Sequence, residues 1–124
     1  MPARVIQPYL QKAMGVAVVI ENMVGAGGNI ARSFVYKQKP DDYILLVNQQ
    51  PSMSSGEIVT GAKFETLKLV HVFNIAGKNY DCVAVPYDSP LKTIEDMKKA
   101  SQSQPLTSAG TGIGTNAYIA AMLL

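Results

Sequence analysis

The sequence predicts an α/β domain, a mainly parallel sheet flanked by helices, and three observations carry that expectation. Apolar, β-branched runs recur along the chain, segments with helical character alternate with them, and a glycine-rich loop stands before two of those segments. Strands buried on both faces read as continuous apolar runs, and their alternation with helices is the pattern of parallel sheets. The 124 residues suffice for one domain with a real core. A hydrophobic fraction of 48% excludes a disordered tail. Only 16% of residues are charged, against about 25% in an average soluble domain. Much of the surface is therefore neutral, or meant to be covered.

In chain order, Ile6, Leu10 and Met14 recur at four-residue spacing and Gly15 closes them, which predicts a first helix with Pro8 near its first turn. Residues 16–20, Val-Ala-Val-Val-Ile, predict a buried strand. Gly25-Ala-Gly-Gly-Asn29 predicts a turn and 30–37 a short amphipathic helix. Pro40-Asp-Asp42 predicts another turn, with a strand over 43–47. The polar stretch 48–61 reads as a loop with one helical turn. Residues 69–76 and 82–85 are strand candidates separated by Gly77-Lys-Asn79. Thr93 and Asp96 have capping-box spacing before a helix over 93–99, and Glu95 and Asp96 suit its positive first turn. Residues 106–108 predict a short strand, 110–114 a glycine loop, and 115–124 a last helix that starts properly and does not finish. Both ends read as cut, so the chain is expected to be a fragment.

The chemistry this chain can hold is bounded by what it contains. The single Cys82 excludes an internal disulfide, and with one His71 no zinc constellation can be assembled from Cys and His. Net charge is +2 with no basic block, which leaves nucleic-acid binding unsupported. No run approaches the roughly 18 apolar residues of a membrane span, and residues 1–8 lack the apolar stretch of a secretory signal. His71, in an apolar run, is expected to be a hydrogen-bonded strand histidine, and Cys82 a small buried hydrophobe. No Ser-His-Asp, Cys-His or paired-carboxylate set can be argued, so no catalytic residue is assigned. The 25–29 loop lacks both the Lys-Ser/Thr pair of a P-loop and the third glycine of a dinucleotide fingerprint, and reads as a tight structural connection. The second loop, Ser108-Ala-Gly-Thr-Gly-Ile-Gly-Thr-Asn116, interleaves glycines with hydroxyls ahead of a helix. It suits either a carboxylate or phosphate, or a structural turn.

Taken together, Val18-Val-Ile-Glu-Asn22, Gly25-Ala-Gly-Gly-Asn-Ile30, Pro40-Asp-Asp-Tyr-Ile-Leu-Leu46, Val83-Ala-Val-Pro86, Ser89 to Asp96 and Gly110-Thr-Gly-Ile-Gly-Thr115 resemble, in order, the signature of the Bug-type solute-binding proteins of tripartite tricarboxylate transporters. The chain departs from that signature at Met23-Val24, where Arg-Pro is common, at Asp42, where Gly is common, and at Tyr118, where His is common. The resemblance implies a type II periplasmic-binding-protein-like lobe, truncated at both ends. Residues 1–88 would form most of lobe one without its first strand, and 89–124 the start of lobe two after a hinge crossing near 86–90. It implies a receptor, not an enzyme, that needs no cofactor or metal. The receptor would capture a small organic carboxylate for membrane transporter subunits, in a periplasmic parent protein. Carried over to this sequence, the ligand contacts would be Thr111, Gly112, Gly114, Thr115 and Asn116. Asn48, Gln49 and Ser52 would face them from the loop after 43–47. An enzyme or nucleotide-binding domain using the 110–114 loop for a phosphate is the alternative. Self-association through an unpaired sheet edge is a further expectation.

Overall fold

The computed structural model describes residues 2–40, 43–75 and 80–123. Five α-helices follow one another among them: α1 (Pro2–Met14), α2 (Asn29–Tyr36), α3 (Ser52–Thr60), α4 (Ile94–Ser103) and α5 (Asn116–Leu123). Short 3₁₀ turns lie at Ala26–Gly28 and Thr66–Lys68. The helix expectations hold at α1, α2, α4 and α5.

The sheet expectation does not hold. No strand is formed among the described residues, so the α/β class predicted from the apolar runs is overturned, and with it the sheet edge proposed for self-association. The runs at 16–20, 43–47, 69–75, 82–85 and 106–108 lie mostly in the open instead. Val19 and Val70 are each 88% exposed. A strand exists only where a neighbour supplies the ladder, and an apolar run does not carry its neighbour with it. At 16–20 the side chains of α1 take the ladder's place: Gln7 Nε2 donates to the Val18 carbonyl at 2.6 Å, and the Val18 N–H donates to Gln11 Oε1 at 3.4 Å. Tyr43 has a φ of 50°, which takes the first residue of the next run out of the extended region. His71 and Cys82 are both exposed, the reverse of the strand histidine and buried thiol expected, because the runs that would have buried them are uncovered. Asp41 and Asp42 of the turn expected at 40–42, and the separator at 77–79, lie outside the described residues.

Helix boundaries differ where tertiary contacts outweigh local signals. α1 begins at Pro2, so Pro8 lies inside the helix rather than in its first turn. α3 runs for nine residues where a loop with one turn is expected. Its Ser-Met-Ser-Ser-Gly start is a poor helix former, but Ser52, Met53 and Gly56 are buried against α2 and the 66–68 turn. Gly61, at a φ of 60°, closes it. α4 carries the predicted capping box in full: Thr93 Oγ1 accepts from the Asp96 N–H at 3.1 Å, and Asp96 Oδ2 accepts from the Thr93 N–H at 2.9 Å.

The buried interior is small and centres on α2 and α3. Phe64 and Met53 are 2% and 3% exposed, and the other buried side chains are polar: Asn29, Arg32, Ser52, Thr66 and Thr115. Glu57 Oε2 accepts from the Thr66 N–H at 2.8 Å, tying the end of α3 to the 66–68 turn. Glu65 is held below the usual carboxylate range by Lys68, 2.8 Å away, and then by the Tyr36 hydroxyl at 3.1 Å.

Candidate functional site

The two glycine loops, far apart in sequence, pack against one another. A Cβ on Gly27 would lie 3.0 Å from the Ile113 carbonyl oxygen, and one on Gly112 would lie 3.2 Å from the Gly27 Cα. On the other side of the same loop, a Cβ on Gly114 would lie 2.9 Å from the Gly56 Cα in α3. Backbones meet here so closely that an added side chain would force a neighbour to shift. The loop at 25–29, expected to be a plain connection, therefore forms one wall of the junction.

Hydrogen bonds close the junction between α3 and α5. Ser52 Oγ, in the first residue of α3, donates to Asn116 Oδ1 at 2.8 Å and accepts from the Asn116 N–H at 3.3 Å. Asn116 is the first residue of α5, so the N-terminal ends of two helices converge on one point. The dipoles of both helices make that point favourable for negative charge, with the Asn116 and Tyr118 N–H groups held by Ser52 Oγ and Thr115 Oγ1. Ser55 Oγ donates to the Gly114 carbonyl at 2.6 Å. Thr115 caps α5: its Oγ1 accepts from the Tyr118 N–H at 3.4 Å and from Thr111 Oγ1 at 3.1 Å, and donates to the Gly112 carbonyl at 2.7 Å.

Of the residues singled out from the sequence, Ser52 and Asn116 are in direct contact, and Thr111, Gly112, Gly114 and Thr115 form the loop beside them. Gln49 stands just before α3, where its carbonyl accepts from the Met53 N–H at 3.2 Å. Asn48 is exposed and turned toward α2, its Oδ1 accepting from Arg32 Nε at 3.0 Å. Asn29, Ser55 and Gly56, which the sequence reading did not select, belong to the same junction. Asn29 Nδ2 donates to Thr60 Oγ1 at 2.9 Å, fastening α2 to α3. Its place directly after a glycine run was the available signal.

The donors here are hydroxyls, amides and backbone N–H groups, a set that binds an oxyanion by neutral hydrogen bonds. A shallow hollow of about 200 Å³ opens beside them between Gly110, Gly112, Ala117 and Tyr118. A larger one, about 500 Å³, flanks α2 at Ile30, Phe34 and Lys37, and none of the predicted residues lines it.

Residues 2–124 match the family described as tripartite tricarboxylate transporter family receptor. The chain belongs to this family. It is 27% identical to a UPF0065 protein from the tcbD-tcbE intergenic region of Pseudomonas sp. (strain P51), over 98% of this chain and 37% of that one. To a UPF0065 protein from the gbd 5' region of Cupriavidus necator it is 30% identical, over 95% of this chain and 36% of the relative. A UPF0065 protein of Agrobacterium vitis is 42% identical over 36% of this chain and 13% of its own length. The chain thus spans little more than a third of the first two relatives. No solved structure matches it. Membership in the family bears out the resemblance read from the motifs.

Proposed function

We infer that this chain contributes to a periplasmic receptor that captures a small organic carboxylate and presents it to the membrane subunits of a tripartite transporter. The observation that carries the reading is the convergence of the α3 and α5 N-termini at Ser52 and Asn116, walled by two glycine loops. Two helix ends and a set of neutral donors replace the hydration of a carboxylate without a fixed counter-ion. The family described as a transporter receptor supports the same reading, as a binding protein rather than an enzyme. In this proposal residues 1–88 belong to one lobe and 89–124 open the second. The contacts of Ser52 with Asn116 and of Ser55 with Gly114 are then lobe-to-lobe contacts. A ligand carboxylate would insert between them, replacing the bonds that join Ser52 to Asn116 and taking the Ser52 hydroxyl and the Asn116 N–H as donors, with Asn48 and Gln49 closing from the α3 side and Thr111 from the other.

Thermal unfolding of the chain against mono-, di- and tricarboxylates and a nucleotide tests this. A ligand at 100 times its dissociation constant stabilises by roughly 2.7 kcal/mol, so a binding carboxylate raises the melting temperature visibly. Stabilisation by one carboxylate class and none by nucleotide is the expected outcome. A shift with nucleotide alone would sink the receptor reading in favour of a phosphate site.

A further inference from the structure

The predicted ligand contacts are all neutral, yet α2 brings a full charge to their back. Arg32 follows Asn29 by three residues, so both lie on the face of α2 that meets α3. Arg32 is only 4% exposed. Its Nη1 donates to Asn29 Oδ1 at 2.7 Å and its Nε to Asn48 Oδ1 at 3.0 Å. Both acceptors are neutral amides. Among the described residues an ion pair joins Lys68 to Glu65, and none involves Arg32. A guanidinium stays protonated in proteins, so this is a charge removed from water with no counter-charge, a costly arrangement. Burial accordingly draws its pKa below the ordinary arginine value.

The surroundings are shaped to hold it. A Cβ on Gly56 would lie 2.7 Å from Nη1, and one on Gly28 would lie 3.2 Å from Nη2, so glycines of the first loop and of α3 make the socket. Arg32 also decides how Asn48 sits. With Oδ1 committed to the guanidinium, the Asn48 amide keeps its Nδ2 as the free end. One N–H goes to the Gln49 carbonyl at 3.2 Å, and the other remains as a donor.

We propose that Arg32 is a positioning and charge-selecting residue for the carboxylate site: it holds Asn48 with its amide N–H outward and supplies the uncompensated positive charge that makes the junction prefer the more highly charged of two anions of the same shape. This rests on the carboxylate reading given above. Arg32 need not touch the ligand. Attraction from a charge in partly desolvated surroundings persists over several ångströms, where exposed lysines are screened by salt.

Succinate and its half-amide, succinamate, are close in shape and differ by one charge, so their affinities for the 124-residue chain, measured by calorimetry, isolate the effect. The wild type is expected to prefer succinate by about tenfold, and most of the preference should persist in added salt, which screens a buried charge little. Arg32→Gln should bind both alike, while Arg32→Lys should recover part of the preference, since charge returns without the planar fork. Ser52→Ala should weaken both ligands together and leave the preference in place. Arg32→Gln retaining the wild-type preference would overturn the assignment and leave the carboxylate reading standing. A wild type that binds the two compounds equally overturns the proposal, whereas the carboxylate reading itself falls only if no carboxylate of the thermal panel binds. If Arg32→Gln loses helix content, the comparison is repeated with Arg32→Met, which keeps the length of the buried stem without the charge, and a wild-type preference retained there overturns the proposal.

Discussion

Gly114 shows how little tolerance the junction has. Its φ is 78°, and a methyl group there would meet the Gly56 Cα at 2.9 Å. Gly114→Ala is expected to destabilise the chain by roughly 2 kcal/mol, combining left-handed strain with backbone overlap. Gly61→Ala separates the two causes, because Gly61 has a φ of 60° and nothing within reach of an added Cβ. It should lose only about 1 kcal/mol of strain. Equal losses at both positions in urea titrations would mean that the 56–114 approach does not persist in solution. At this scale the sequence was partly legible. Alternating glycines and hydroxyls marked 110–116 as a loop of consequence, and the family signature pointed to Asn116; Ser52 was selected only for its place after 43–47, an expected strand that is not formed. Neither glycine loop announced the other, since a close approach between distant segments leaves no local trace. Arg32 was equally silent, looking like any polar residue on an amphipathic helix.

Among the elements, α4 and α3 mark the two extremes of legibility. α4 is set by a local rule: Thr93 and Asp96, three residues apart, satisfy each other's backbone N–H groups. Thr93→Ala should lower α4 stability by about 1 kcal/mol, read as lost helical signal in far-UV circular dichroism. The Asp96 carboxyl is held below its usual range by the Thr93 hydroxyl, then by the N–H groups of Lys92 and Thr93. A carboxylate with a lowered folded pKa stabilises above its unfolded pKa, and the contribution is lost as pH falls through the folded value. The helical signal of the wild type should therefore fall in acid more than that of Asp96→Asn, and parallel acid titrations would refute the link. α3 has no such rule. Its serines and Gly56 favour a loop, and it is helical because Met53 and Gly56 are packed away. Tertiary burial outweighed propensity there, which a reading of neighbouring residues cannot anticipate.

The whole molecule exposes 10051 Å², where a compact monomer of its mass exposes roughly 6500 Å². The apolar runs that the sequence marked as strands are among the surfaces left exposed. The runs themselves were legible; the sheet was not, because each run needs a neighbour whose pairing is a property of the assembled fold rather than of the run. Less surface is then gained on unfolding, and the urea m-value should be about three quarters of that expected for a compact domain of this length. A full m-value would mean that these runs are covered in solution.

The meeting of Gly27 with Gly112 and of Gly56 with Gly114 joins main chain to main chain, and hydroxyls and amides fasten it. Parting such a contact wets almost no hydrocarbon. The heat-capacity change that makes greasy interfaces weaken on cooling is thus nearly absent. A receptor whose lobes close through this contact would open and shut with an equilibrium almost indifferent to the temperature of its surroundings.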